Sequence, residues 1–147
     1  MNIEDIKEYI ETCPYLDANT IVNVDYLSDS VISYSITEET SYNPIISEDI
    51  IGNKQCQFIF NFDAKLNWTD ETENNINNSN FFRIFSSWIE QQNNYEIYPN
   101  VSEDITIESI KTTTNGYILM TNSNEAIYRI GLIINYYKSK NDNIISL

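Results

Sequence analysis

The chain has 147 residues, of which 41% are hydrophobic. This length and composition predict one domain over residues 1–147 with a buried core, and they exclude a disordered chain. Its net charge of −14 argues against nucleic-acid binding, which needs basic side chains to neutralise phosphates. The acidic N-terminus has no basic leader, and no apolar run approaches the about 18 residues that cross a bilayer. We therefore expect no membrane partner and a protein that begins in a cytoplasm.

Residue types that carry chemistry are scarce. Without histidine the chain lacks the base of the serine and cysteine relays. Cys13 and Cys56 are too few for a structural zinc site and are predicted to be small buried groups. The acidic cluster of Asp70, Glu71 and Glu73 lacks the spacing of a calcium loop and suits an exposed helix start. The sequence thus predicts a protein that is not an enzyme, with no metal and no cofactor.

The N-terminal third predicts a helix and two strands. Residues 2–12 repeat isoleucine at helical spacing, and Asn2 can cap the helix. The stretches Thr20–Leu27 and Val31–Thr37 alternate in the manner of strands. The polar residues 28–30 between them predict a hairpin turn.

A long loop precedes the clearest strand. Residues 38–53 are predicted as this loop, with short extended pieces at Ile45–Ile46 and Ile50–Ile51. Loops of such length in small domains are often functional. Lys54–Asn67 then places phenylalanines and polar residues on opposite faces, as a half-buried strand does.

The main helix is predicted over Phe81–Asn93. It can start early, at Asp70 or Thr72, or late, at Asn78 or Asn80, and the early start is favoured. A stripe of apolar residues at helical spacing marks its core face. The stripe consists of Phe81, Phe85, Trp88 and Ile89.

The C-terminal third predicts a three-stranded meander. Its strands are Ile105–Thr112, Tyr117–Thr121 and the long Ala126–Lys138, with a hairpin turn at Asn115–Gly116 and a polar tail over 139–147. The whole order predicts an α+β fold. In this fold an antiparallel or mixed sheet is packed by one long helix, with a short helix at the N-terminus.

Tyrosines and the long loop supply the candidate interface residues. Tyrosine is enriched at protein interfaces because it combines a rigid apolar body with a polar tip. The candidates are Tyr42, Ile45, Ile46, Glu48, Asp49, Tyr95, Tyr98 and Tyr137.

Residues 54–138 resemble a known protein family. The segment 81–93, which ends in Trp-Ile-Glu-Gln-Gln-Asn, and the alternating segment 105–137 are similar to small proteins from tail modules of phages and prophages of low-GC Gram-positive bacteria. These proteins are described as minor capsid or tail terminator proteins. The connection after Asn93 departs from the family pattern.

The resemblance implies a subunit of a homo-hexameric ring. The ring would sit on the last ring of the tail tube protein, stop tube growth, and join to the sheath protein or to the head connector. Ala126–Lys138 would pair across subunits or build the ring wall, and residues 38–53 would reach the tube or sheath. The particle would be a phage or a headless bacteriocin.

Two other functions stay open on sequence grounds. One is another neck or head–tail joining protein of the same tail module. The other is an acidic monomeric binding module, such as an immunity protein or a nucleic-acid mimic, for which the net charge of −14 would be the active feature. An enzyme is disfavoured because no nucleophile motif is present.

Overall fold

The computed structural model describes residues 1–18 and 20–140 and shows two helices against one face of a seven-stranded mixed sheet. The predicted α+β fold, with one long and one short helix, is confirmed. Residues 141–147 of the predicted tail lie outside the described residues. The elements are α1 (Ile3–Glu11), β1 (Val22–Val24), β2 (Ser33–Glu38), β3 (Ile45–Glu48), β4 (Lys54–Asn67), α2 (Thr72–Asn94), β5 (Ile105–Thr112), β6 (Tyr117–Thr121) and β7 (Glu125–Lys138).

Two strands of 14 residues each, β4 and β7, pair antiparallel along their whole length at the centre of the sheet. Their alternation buries one face of each strand, including Phe60, Phe62, Ile130 and Leu132. The expectation that Ala126–Lys138 pairs across subunits is wrong. That segment has hydrogen-bonded neighbours on both edges and leaves no edge for another chain.

Each central strand is flanked by an interrupted outer strand. The outer edge of β4 pairs with β2 over residues 60–65 and with β3 over residues 54–56. The outer edge of β7 pairs with β5 over residues 132–138 and with β6 over residues 126–129. Outside β2, β1 adds in the parallel direction. Among residues 1–18 and 20–140, the sheet therefore has four edge strands, which are β1 and β3 on one side and β5 and β6 on the other.

Two predicted hairpin turns are wrong. Because β1 and β2 run parallel, residues 28–30 belong to a crossover loop, in which Ser28 N–H donates to Ser33 Oγ at 2.9 Å. The Asn115–Gly116 pair does not reverse the chain, because β5 and β6 run in the same direction along β7. Gly116 instead lies so close to α2 that an added Cβ would sit 2.5 Å from Phe82 Cβ. Steric contact with the helix, rather than turn chemistry, explains that glycine.

The remaining turns and strands are close to prediction. Ile45–Ile46 belongs to β3, whereas Ile50–Ile51 lies in the turn that leads to β4. The turn at 122–124 joins β6 to β7 as a hairpin, with Asn122 N–H donating to Glu125 O at 2.9 Å.

Both helices bury apolar stripes against the sheet. In α1, Asn2 Oδ1 accepts from Glu4 N–H at 3.0 Å, as the predicted cap requires. The helix α2 begins at Thr72, the early start that the sequence favours. Its Phe85 stacks on Phe62 of β4 with ring centroids 4.6 Å apart. This stacking holds the long helix over the centre of the sheet. The edges of the sheet remain as candidate interaction surfaces.

Candidate interaction surfaces

On two of the four edge strands, a helix supplies a side chain that accepts from a backbone N–H. Glu11 at the end of α1 accepts a hydrogen bond from Val22 N–H of β1 at 3.0 Å. Asn93 at the end of α2 accepts one from Ile110 N–H of β5 at 2.9 Å. Each contact occupies one backbone group, which partly protects β1 and β5 against pairing with another chain.

The edge strand β6 is open. All five of its residues are exposed, and the large apolar run Tyr117–Met120 is between 44% and 58% exposed. Within residues 1–18 and 20–140, no hydrogen bond joins the outer edge of β6 to another segment. Natural edge strands are normally protected by charged residues or proline, and β6 contains neither. An open apolar edge of this kind is a surface for adding a strand.

The edge strand β3 is the second open edge. It differs from β1 and β5 in that all four of its residues are exposed, although one of its backbone groups is also occupied: Ile45 N–H donates to Asn43 Oδ1 at 3.0 Å. The following turn exposes Ile50 completely and Ile51 by 66%. Exposed apolar clusters of this kind mark interaction sites. We call β3 and β6 the open edge strands.

The turn after β3 is held by one carboxylate. Asp49 Oδ1 accepts hydrogen bonds from the backbone N–H groups of Ile51, Gly52 and Asn53, each at 2.9 Å. Desolvation raises the pKa of Asp49, but the hydrogen bonds that it accepts, led by those from Asn53, together outweigh this effect. The pKa of Asp49 is therefore below its usual value. Gly52 adopts a φ of +102°, which side chains rarely allow. The turn therefore presents the two isoleucines in a defined conformation.

The predicted interface residues lie in three parts of the fold. The segment 42–49 brings Tyr42, Ile45, Ile46, Glu48 and Asp49 together at the β3 edge. Tyr95 is 69% exposed just beyond α2, and Tyr98 donates to Glu108 O of β5 at 3.1 Å on the opposite edge. Tyr137 is half-buried in β7, opposite Gln55. The structure therefore joins the residues of the loop and separates them from Tyr95 and Tyr98.

Tyr42 supports the loop through its hydroxyl. It donates to Glu38 Oε2 at 2.7 Å, and its ring is half-buried. Desolvation, followed by the hydrogen bond with Glu38, raises the pKa of Tyr42 to about 12. Its hydroxyl is thus already engaged within the chain.

The sequence reasoning missed β6 as a surface. It predicted the strand over Tyr117–Thr121 but gave it no role. The available signal was the run of four large apolar residues in a strand of five. Such a run cannot bury every side chain on one face, and exposed runs of this kind are usually functional.

The face of the sheet away from the helices is polar. Asp63 and Arg129 lie opposite each other there and form an ion pair with Arg129 Nε 2.8 Å from Asp63 Oδ1. An open pocket of about 520 Å³ adjoins the loop between β1 and β2. Polar groups lining it, such as Ser28, Ser33 and Asn23, bond to one another and hold that loop. These polar features are explained by the fold itself.

Comparisons with known proteins give no family assignment. No protein-family model and no curated protein matches this chain. In the described part of the chain, neither helix combines the length and apolar character needed to cross a membrane. No group of three metal-binding side chains occurs among the described residues. Any function must therefore be argued from the open edge strands and from the sequence resemblance.

Proposed function

We propose that this chain is a structural assembly protein that forms a closed ring, a hexamer, on the end of a phage tail or phage-tail-like tube. The ring stops growth of the tail tube protein and offers a platform for sheath protein or a head–tail connector. The observation that carries the proposal is the presence, on opposite edges of one sheet, of two exposed edge strands that carry large apolar residues.

Opposite edges favour a ring over a symmetric dimer. A contact between two different surfaces of the same chain is heterologous, and repeated heterologous contacts close into rings when the rotation between subunits permits. In this chain β3 lies outside β4, and β6 lies outside β7. Each copy can therefore present one edge to each of two neighbours.

The charge of the chain suits a ring around a DNA conduit. With a net charge of −14, the subunit surface repels phosphates. A ring of such subunits would let DNA pass without binding it. We therefore propose that the chain binds neither a specific nucleic acid nor a membrane. Assembly would take place in the bacterial cytoplasm, and the ring would then become part of the particle.

The place of the ring in a tail comes from the sequence resemblance over residues 54–138. That resemblance also fits another neck or head–tail joining protein, which would form a similar ring but bind the connector and not the tube. An acidic monomeric module, an immunity protein or nucleic-acid mimic, would bind its partner without forming a ring. Tube binding separates the first alternative from the proposal, and oligomeric state separates the second.

The proposal is tested by growing tubes from purified tail tube protein with and without this chain. Negative-stain microscopy should show an added ring at one end of each tube, and tube length should stop increasing once the chain is added. Tubes that elongate equally in both samples, with no density at their ends, would reject a terminator. Rings that form but ignore the tube would point to the neck alternative.

A further inference from the structure

We propose that the joint between neighbouring subunits is a continuation of the β-sheet, in which β6 of one copy pairs with β3 of the next. This inference rests on the proposed ring and adds the surfaces that build it. The occupant of each open edge is thus a second copy of this chain.

The pattern of blocked and open edges supports this choice. Glu11 and Asn93 each occupy one N–H group, on β1 and on β5, and both strands contain buried residues, whereas every residue of β3 and β6 is exposed. The edges of β3 and β6 expose large apolar residues, which in a monomer would create a hazard of aggregation. Pairing β6 with β3 of the next copy covers both exposed edges with one type of contact.

The positions of the open edges define an inclined joint. The strand β3 pairs with residues 54–56 at one end of β4. The strand β6 pairs with β7 residues 126–129, which lie opposite β4 residues 63–66 at the other end. The two open edges therefore lie at diagonally opposite corners of the sheet. Neighbouring copies would be offset along the strand direction, and the strands would be tilted from the ring axis, as in closed barrels.

The distribution of charge favours contact between unlike edges. Residues 109–124, which include β6, contain no acidic residue although the chain has 22, and they include Lys111. The β3 segment carries Glu48 and Asp49. Pairing β3 with β3 would place Glu48 and Asp49 of both copies, four carboxylates, in one short joint, where like charges repel each other. Pairing β3 with β6 avoids this repulsion.

Site-directed cross-linking tests the joint. Leu119→Cys is placed on β6 and Ile46→Cys on β3, at positions that are 44% and 54% exposed, so both variants should fold. The native Cys13 and Cys56 are buried and should react slowly. Each variant is purified as the full chain and treated with a short bis-maleimide, first alone and then as an equimolar mixture. We expect a covalent dimer in the mixture and little in either variant alone. A double variant should give a ladder of covalent oligomers.

Controls separate this inference from the proposed function. Ile76→Cys, 53% exposed on α2, serves as the matched position and should not cross-link to Ile46→Cys. Native mass spectrometry of the same samples reports whether rings form. Rings without the 119–46 cross-link, or Leu119→Cys dimers formed alone, would overturn the proposed joint while leaving a ring-forming function intact. The absence of both rings and cross-links would overturn the joint and the proposed function together.

Discussion

Asp63 and Arg129 face each other across the two central strands and are joined by two parallel hydrogen bonds. Arg129 Nε lies 2.8 Å from Asp63 Oδ1, and Arg129 Nη2 lies 2.9 Å from Asp63 Oδ2. Their side chains are 10% and 27% exposed, respectively. The hydrogen bond that Arg129 donates to Asp63 is the main cause that raises the pKa of Arg129. This paired geometry ties β4 to β7 on the face that the helices leave uncovered.

Removing one member of this pair should destabilise the fold. Arg129→Met should lower the free energy of unfolding by about 2–3 kcal/mol, because it leaves a largely buried carboxylate without its partner. Urea unfolding followed by circular dichroism measures the change. Arg129→Met combined with Asp63→Leu should recover part of the loss. A single variant as stable as the wild type would show that the pair contributes little.

Gly116→Ala should weaken the packing between α2 and the start of β6. The added methyl group would sit 2.5 Å from Phe82 Cβ and 2.6 Å from Phe82 Cγ, so the backbone must shift. Overpacking of this kind costs about 1–3 kcal/mol. Thermal unfolding should show a lower midpoint for Gly116→Ala, whereas Asn115→Ala at the exposed neighbouring position should stay near the wild type. Equal midpoints for both variants would contradict the close approach.

Asn93→Ala should open the edge of β5. The change leaves Ile110 N–H without its acceptor at 2.9 Å, which costs about 1–3 kcal/mol where the group is shielded from water. It also exposes a third edge to pairing, so the variant should aggregate more readily than the wild type in light scattering. Asn94→Ala, one residue further and exposed, is the matched control. If both variants scatter light like the wild type, Asn93 does not protect the edge.

Tyr9 should make stability depend on alkaline pH. Its hydroxyl donates to Ile97 O at 2.8 Å, and desolvation by burial raises its pKa from 10.0 to about 12. Between these values the folded state keeps a proton that the unfolded state has lost, so stability falls as pH rises. Tyr9→Phe should be less stable than the wild type at pH 7, by about 1 kcal/mol. The difference should narrow above about pH 10, in urea titrations at each pH, because the variant lacks this ionisation. A constant difference would contradict the raised pKa.

Periodic patterns located the elements but not their connections. The strands β4 and β7 were predictable because alternation over many residues reports burial on one face. The hairpin predicted from Asn115–Gly116 was wrong because the glycine is explained by its close contact with Phe82. Only the tertiary structure brings that residue near. The parallel pairing of β1 with β2 was also hidden, since a loop of polar residues fits a hairpin and a crossover equally well.

The candidate surface was predictable in part. The exposed apolar residues of the segment 42–49 were found because a long loop with paired isoleucines is unusual. The role of Tyr98 at the β5 edge depends on its contact with Glu108 O, which lies ten residues away and has no sequence signal. The open edge of β6 depends on sheet order, because only an outer strand leaves its backbone groups unpaired.

Native mass spectrometry of the full chain over a range of concentrations tests the central claim most directly. The wild type should appear as a closed hexameric ring. Leu119→Glu, which places a charge on the exposed apolar edge of β6, should shift the population to monomers, while Ile76→Glu on α2 should keep the ring. A wild-type chain that stays monomeric at every concentration, alone and with tail tube protein, would contradict the account and favour the acidic binding module.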